Sequence, residues 1–152
     1  MSKRIIIDLL HKLEQDHRLQ GSQRTTSREV LGITLFILAN RGSVRLTKER
    51  FQHSTETISR YFGQGLIALL KLSIEVIKSI DRQFRDIPTE IRYDARYMSF
   101  FKDCVGAIDG THVDARVPVE DKAKYIGRHD TTTQNVMVVC DFNMCFTFAL
   151  AG

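Results

Sequence analysis

The sequence predicts an α+β chain in which a helical N-terminal part precedes a small sheet. Apolar residues recur every three or four positions through most of residues 2–80, which is the period of an amphipathic helix. From residue 104 onward they occur instead in the short runs CVGAI, QNVMVVC and CFTFAL, whose lengths are typical of strands. A chain of 152 residues suits one domain of ordinary size, or a helical domain with a fragment of a second.

Two helices are predicted at the start of the chain. Residues 2–17 carry isoleucines and leucines at helical spacing with charged residues between them, which predicts a first amphipathic helix. Thr26 or Ser27 is placed to cap a second helix, with Glu29 in its first turn. Gly42 is placed to end that helix.

A helix-turn-helix unit is predicted next. A short helix at residues 47–51 is followed by a turn and by a long helix that begins at Ser54 or Thr55 and runs to about Ile80. In a protein that reads DNA, the start of the second helix faces the major groove and nearby cations contact phosphates. The alternative is a plain helical bundle whose polar residues only cap helices. The DNA-binding candidates are Lys48, Arg50, Thr55, Thr57, Ser59 and Arg60.

Charge is distributed unevenly along the chain. Residues 1–60 contain eleven Lys/Arg and six Asp/Glu, a formal charge of +5, whereas the remaining residues sum to −1. A basic N-terminal part could attract nucleic-acid phosphates, although an ordinary solvated surface explains it equally well.

No apolar run approaches the roughly 18 residues of a membrane span, so no membrane partner is predicted. Three cysteines without metal-site spacing predict buried free thiols in a reducing compartment.

The first apolar run contains one carboxylate, Asp109, between Gly106 and Gly110. A strand period of two puts Asp109 on one face with the other odd-numbered residues of 105–113. If that face is buried, the charge must be paired or must bind a metal, and glycine in a strand often marks close approach of a ligand. Asp109 is therefore a candidate metal ligand. The structural alternative is a salt-bridged or edge-exposed Asp near a turn.

Residues 104–113, CVGAIDGTHV, and 125–152, YIGRHDTTTQNVMVVCDFNMCFTFALAG, resemble the plant Harbinger-type transposase-derived nucleases of the DDE superfamily, which have a ribonuclease-H-like catalytic core. The family's GRK-like stretch and TQNV are matched by residues 127–128 and 133–136. His129 and Asp130 depart from the usual pattern. The resemblance implies that Asp109 is catalytic, as the first of three acidic ligands of Mg²⁺ or Mn²⁺.

The resemblance also implies double-stranded DNA as the partner, possible help from a separate DNA-binding partner protein, and a nuclear location; otherwise the chain has the features of a cytoplasmic protein. Arg128 is a further candidate for a DNA phosphate contact, or else for an ion pair with a nearby acid. The expected domains are a helical, helix-turn-helix-like domain at residues 1–87, a connector helix at 88–103, and the first three strands of a truncated DDE endonuclease core at 104–152.

We expect no nuclease activity from the chain as given. In the family the second and third acidic ligands come after the segment matched here, and one carboxylate cannot hold a pair of divalent ions. The alternative function is a non-catalytic DNA- or protein-binding module in which the helix-turn-helix unit is the working part.

Overall fold

The computed structural model describes residues 2–40, 42–79, 83, 86–127 and 130–152. The chain divides into two compact units, Met1–Val76 and Ile77–Gly152. The first is helical and the second carries short helices followed by an antiparallel sheet, so the α+β prediction is confirmed. Over the described residues, no helix is both long and apolar enough to cross a membrane.

Hydroxyl side chains start the helices of the first unit. Each cap oxygen accepts a hydrogen bond from a backbone N–H in the first turn, which satisfies one of the donors that a helix start leaves unpaired. The caps predicted at Thr26 and Ser54 are confirmed. The caps are Ser2, Thr26, Ser43 and Ser54. The helices are α1 (Lys3–His17), α2 (Ser27–Ala39), α3 (Val44–Phe51) and α4 (Thr55–Val76).

Two ends of these helices differ from the prediction. The third helix was predicted at residues 47–51, but the Ser43 hydroxyl accepts from the Leu46 N–H and caps α3, which begins at Val44. α4 ends at Val76, short of the predicted Ile80, which lies outside the described residues.

The four helices enclose the hydrophobic core of the first unit. Helix α4 packs against α1, α2 and α3, and it lies tightly against α2 at Gly65, where a Cβ would overlap Thr34 Oγ1. Thr34 is fully buried and donates its hydroxyl to the Val30 carbonyl at 2.8 Å. The buried apolar side chains are Leu10, Leu13, Leu19, Val30, Leu31, Ile33, Ile37, Ile58, Tyr61 and Ala68.

The second unit begins with two short helices where one connector helix was predicted. These are α5 (Thr89–Arg92) and α6 (Ala95–Phe101). The break between them arises because Asp94 accepts from the Arg96 N–H at 2.9 Å and so caps a new helix. The Asp94–Arg96 ion pair, 2.7 Å, also lowers the pKa of Asp94 from its ordinary value.

The sheet of the second unit has three consecutive antiparallel strands, β1 (Ala107–Asp114), β2 (Thr133–Cys140) and β3 (Phe146–Ala151). The first strand begins three residues later than predicted. The Cys104 N–H donates to the Phe101 carbonyl at 2.9 Å, so this residue closes the end of α6 instead of entering the sheet.

The first strand has no buried face, so the condition under which Asp109 would need a metal or a charged partner is not met. Every residue of β1 is exposed, because β1 is an edge strand whose packing is mainly its pairing with β2. Ile91 is the one buried hydrophobic side chain among the described residues of the second unit. The three cysteines are free, as predicted, but none is buried: Cys104 and Cys140 are partly exposed and Cys145 is exposed.

Candidate nucleic-acid interface and the strand carboxylate

Residues 52–54 connect α3 to α4 and place the predicted DNA-binding residues on the surface. Gln52 takes a left-handed conformation with φ of 54°, which ends α3 and turns the chain toward α4. Thr55, Ser59 and Arg60 are exposed in the first two turns of α4. The side of α4 that includes Ile58 is buried in the core.

Thr57 has a different environment from the other candidates on α4. Its N–H donates to Ser54 Oγ at 3.2 Å, and the two hydroxyl oxygens lie 2.9 Å apart. The side chain is partly buried. Thr57 thus belongs to the helix cap, the role that the plain-bundle alternative assigns to such residues.

Three of the predicted DNA-binding residues are cations without an acidic partner among the described residues. Lys48, Arg50 and Arg60 are exposed and form no ion pair there, whereas Arg45 of α3 lies 3.6 Å from Glu49. Lys48 and Arg50 are two positions apart on a helix, so their side chains point about 200° apart. Lys48 and Arg50 therefore lie on nearly opposite sides of α3.

Sequence reasoning missed a polar groove beside α4. It has a volume of about 570 Å³, and the turn at residues 22–25 forms one of its walls. The Ser22 N–H donates to the Thr25 carbonyl at 2.7 Å, and Gly21 precedes this turn because a Cβ there would overlap the Thr25 carbonyl oxygen. The glycine is a sequence signal for the turn, but nothing in the sequence places the turn opposite α4. The lining residues are Ser22, Gln23, Arg24, Thr25, His53, Thr57, Arg60 and Tyr61.

Hydrogen bonds fix the side chains of this groove. Ser22 Oγ and Tyr61 Oη lie 2.9 Å apart, and this hydrogen bond is the main reason that the pKa of Tyr61 is lowered from its ordinary value. The Arg60 guanidinium lies 5.1 Å from the centre of the Tyr61 ring, a cation–π distance. His53 Nε2 lies 2.9 Å from Glu29 Oε1.

Asp109 is exposed on edge strand β1, opposite Val138 of β2. Its Oδ1 accepts a hydrogen bond from the Gly110 N–H at 2.8 Å. Because the carboxylate is exposed to water, it does not need a metal ion to neutralise its charge. This environment matches the structural alternative of an edge-exposed Asp.

The described residues do not fit a two-ion metal centre. They contain no group of three His, Cys, Asp or Glu side chains that could hold a metal ion. Asp114 and His112 lie an odd number of positions from Asp109 along β1, so they are on the other face of the sheet, and His112 Nδ1 is 3.2 Å from Thr133 Oγ1. Asp141 accepts from the N–H groups of the turn between β2 and β3, both at 2.9 Å.

Arg128, the remaining DNA-binding candidate, lies outside the described residues, as does His129. The neighbouring Gly127 is described and donates its N–H to the Thr131 carbonyl at 3.3 Å. The suggested role of Arg128 therefore stays a prediction.

Comparison with known protein families finds one family model that matches a segment of the first unit. A family model described as "Domain of unknown function (DUF8040)" matches residues 1–71. This match covers α1, α2, α3 and most of α4, including the groove, and stops before the sheet. Neither a curated protein nor a solved structure matches the chain. The resemblance of residues 104–152 to Harbinger-type nucleases stays a prediction.

Proposed function

We propose that the helical unit is a duplex-DNA-binding module of helix-turn-helix type. The observation that supports it best is the set of exposed cations without acidic partners, Lys48, Arg50 and Arg60, around the three-residue connection between α3 and α4. Cations whose charge is not neutralised within the protein remain available to DNA phosphates. The formal charge of +5 over residues 1–60 attracts the same polyanion.

Duplex binding and its salt dependence test this function. We expect the purified chain to bind a fluorescent duplex in anisotropy titrations, with log K falling linearly against log salt. Arg60→Ala and Lys48→Ala should each reduce that slope by about 0.9 if each residue contacts one phosphate. Arg4→Ala is the matched control, since it removes the same charge from an arginine that lies 4.0 Å from Asp8. Equal slopes for all four proteins would contradict the proposal.

The second candidate is the metal-dependent DNA endonuclease function that the Harbinger resemblance implies, with Asp109 as a catalytic metal ligand. It is favoured by three consecutive antiparallel strands with an Asp on the first, which is compatible with the start of a ribonuclease-H-like sheet. Two-ion phosphodiester cleavage needs several carboxylates around both ions. Among the described residues, Asp109 does not belong to any group of three side chains that could hold a metal ion.

We accordingly predict that this chain does not cleave DNA by itself. The measurement is incubation of end-labelled duplex with the purified chain and either Mg²⁺ or Mn²⁺, followed by denaturing electrophoresis. Asp109→Asn is the matched variant, because it removes the charge and keeps the side-chain shape. Cleavage by the original chain that is lost in Asp109→Asn would overturn this prediction and favour the nuclease function.

A further inference from the structure

The polar groove beside α4 has the composition of an anion site. Two of its side chains, Arg24 and Arg60, are guanidinium groups, and no carboxylate lines it. Neither arginine forms an ion pair with another described residue. The remaining lining groups are hydroxyls, one amide and one imidazole, most of which can donate hydrogen bonds.

The groups of the groove are held in place without loss of positive charge. Arg60 stacks on the Tyr61 ring at 5.1 Å, a contact that orients the guanidinium but leaves its charge available. The Arg24 N–H donates to Ser22 Oγ at 3.3 Å, and Ser22 Oγ in turn bonds to Tyr61 Oη at 2.9 Å. The backbone that carries Arg24 is therefore tied to the helix that carries Arg60.

We propose that this groove binds one phosphate group of the DNA backbone, held jointly by Arg24 and Arg60. The inference rests on the proposed DNA binding of the helical unit and adds to it a specific phosphate site and a residue, Arg24, that the helix-turn-helix pattern does not include. Guanidinium forks match the geometry of phosphate oxygens better than ammonium groups do. His53 is oriented by Glu29 at 2.9 Å and completes the wall of the groove.

A double-mutant cycle on duplex binding tests the joint site. Arg24→Gln and Arg60→Gln should each weaken duplex binding about tenfold, the effect of losing a charge-assisted hydrogen bond. The double variant should weaken it by much less than the product of the two effects, because both side chains hold the same phosphate. Arg28→Gln is the control, since Arg28 is an exposed arginine at the start of α2 that does not line the groove.

A second measurement tests whether the groove binds a phosphate of DNA or a small phosphorylated ligand. Inorganic phosphate, titrated at constant ionic strength against chloride, should shift the amide NMR signals of residues 22–25, and Arg24→Gln should abolish the shift. Circular dichroism melting of each variant verifies that it is folded.

The possible results separate failure of the proposed phosphate site from failure of the proposed DNA-binding function. Duplex binding by the original chain together with equal affinities for Arg24→Gln and Arg28→Gln would overturn the joint site and leave the DNA-binding function standing. No duplex binding by the original chain at low salt would overturn both. Phosphate shifts in the groove combined with unchanged duplex binding in Arg24→Gln would assign the groove to a small phosphorylated ligand and overturn the DNA assignment.

Discussion

Gly65 and Gly63 lie in the same helix, α4, but have different surroundings. A Cβ at Gly65 would overlap Thr34, whereas a Cβ at Gly63 meets no heavy atom within 4 Å beyond its own helix and chain neighbours. Thr34 cannot easily move away, because it is buried and its hydroxyl donates to the Val30 carbonyl. We predict that Gly65→Ala destabilises the unit by about 1–2 kcal/mol, since overpacking exceeds the gain in helix propensity.

Gly63→Ala is the matched control for this prediction. It makes the same chemical change in the same helix and should stabilise the unit by up to about 1 kcal/mol. Urea unfolding followed by circular dichroism measures both free energies of unfolding. If the two variants shift the midpoint in the same direction by the same amount, the close packing of α2 on α4 at Gly65 is disproved.

Single residues also show where sequence reasoning reaches its limit. The caps at Thr26 and Ser54 could be predicted because a cap is a hydrogen bond between residues three apart in sequence. The environment of Asp109 could not, because burial depends on which distant element covers the strand. The position of Arg24 in the same groove as Arg60 could not be predicted for the same reason, since Arg60 lies on a helix much later in the chain.

Lys12 of helix α1 contacts two carboxylates, Asp16 on the same helix and Glu75 on helix α4. Its Nζ lies 2.6 Å from Asp16 and 2.8 Å from Glu75. The hydrogen bonds from Lys12 lower the pKa of both Asp16 and Glu75, and those same bonds, to Asp16 first, raise the pKa of Lys12. The contact therefore stabilises the folded unit most when all three groups are charged.

The pH dependence of this contact follows from the direction of each shift. A carboxylate with a lowered pKa stabilises the fold above its unfolded-state pKa, and that stability is lost as pH falls through its folded-state pKa. Lys12, with a raised pKa, contributes fully below its unfolded-state pKa and loses its contribution as pH rises through its folded-state pKa. We predict that Lys12→Gln destabilises the unit near neutral pH and that its deficit shrinks below pH of about 4.

Unfolding midpoints in urea between acid and neutral pH measure this deficit. Lys3→Gln is the control, because Lys3 is exposed and forms no ion pair among the described residues. The deficit of Lys12→Gln should also shrink in high salt, since all three side chains are partly exposed. A deficit that stays constant from neutral to acid pH would mean that the contact does not stabilise the packing of α1 on α4.

The helices and strands were predicted more accurately than the residues at which they begin and end. Apolar residues at helical spacing located α1 and α4, because one side of each helix is buried and that side recurs every turn along the sequence. The start of α2 was located by its cap candidates. The first strand was placed with an error at its start, since pairing with β2 decides where it begins: Ala107, not Cys104, is its first paired residue, opposite Cys140. The connector was divided by a single local cap, Asp94, whose hydrogen bond to Arg96 outweighs helical continuity.

At the scale of the molecule, the two units differ in how much apolar surface each buries for itself. The first unit encloses a cluster of buried aliphatic side chains, whereas large hydrophobic side chains of the sheet remain exposed on both of its faces. Ile108 of β1 is 65% exposed and Phe148 of β3 is 47% exposed. Exposed apolar area of this kind contributes little to stability, and a sheet with unpaired edges opens easily.

We therefore predict that the backbone amides of residues 134–150 exchange with deuterium faster than those of residues 58–76. Hydrogen exchange with mass spectrometry, corrected for intrinsic rates, compares the two segments in the same sample. The strands bury few apolar contacts, so opening them costs little free energy. Opening α4 breaks the core of the first unit, so the free energy of that opening is higher. Repeating the measurement at tenfold lower protein concentration controls for self-association, which would cover the sheet. Equal or slower exchange in the strands at both concentrations would show that the second unit is stable by itself despite its exposed faces.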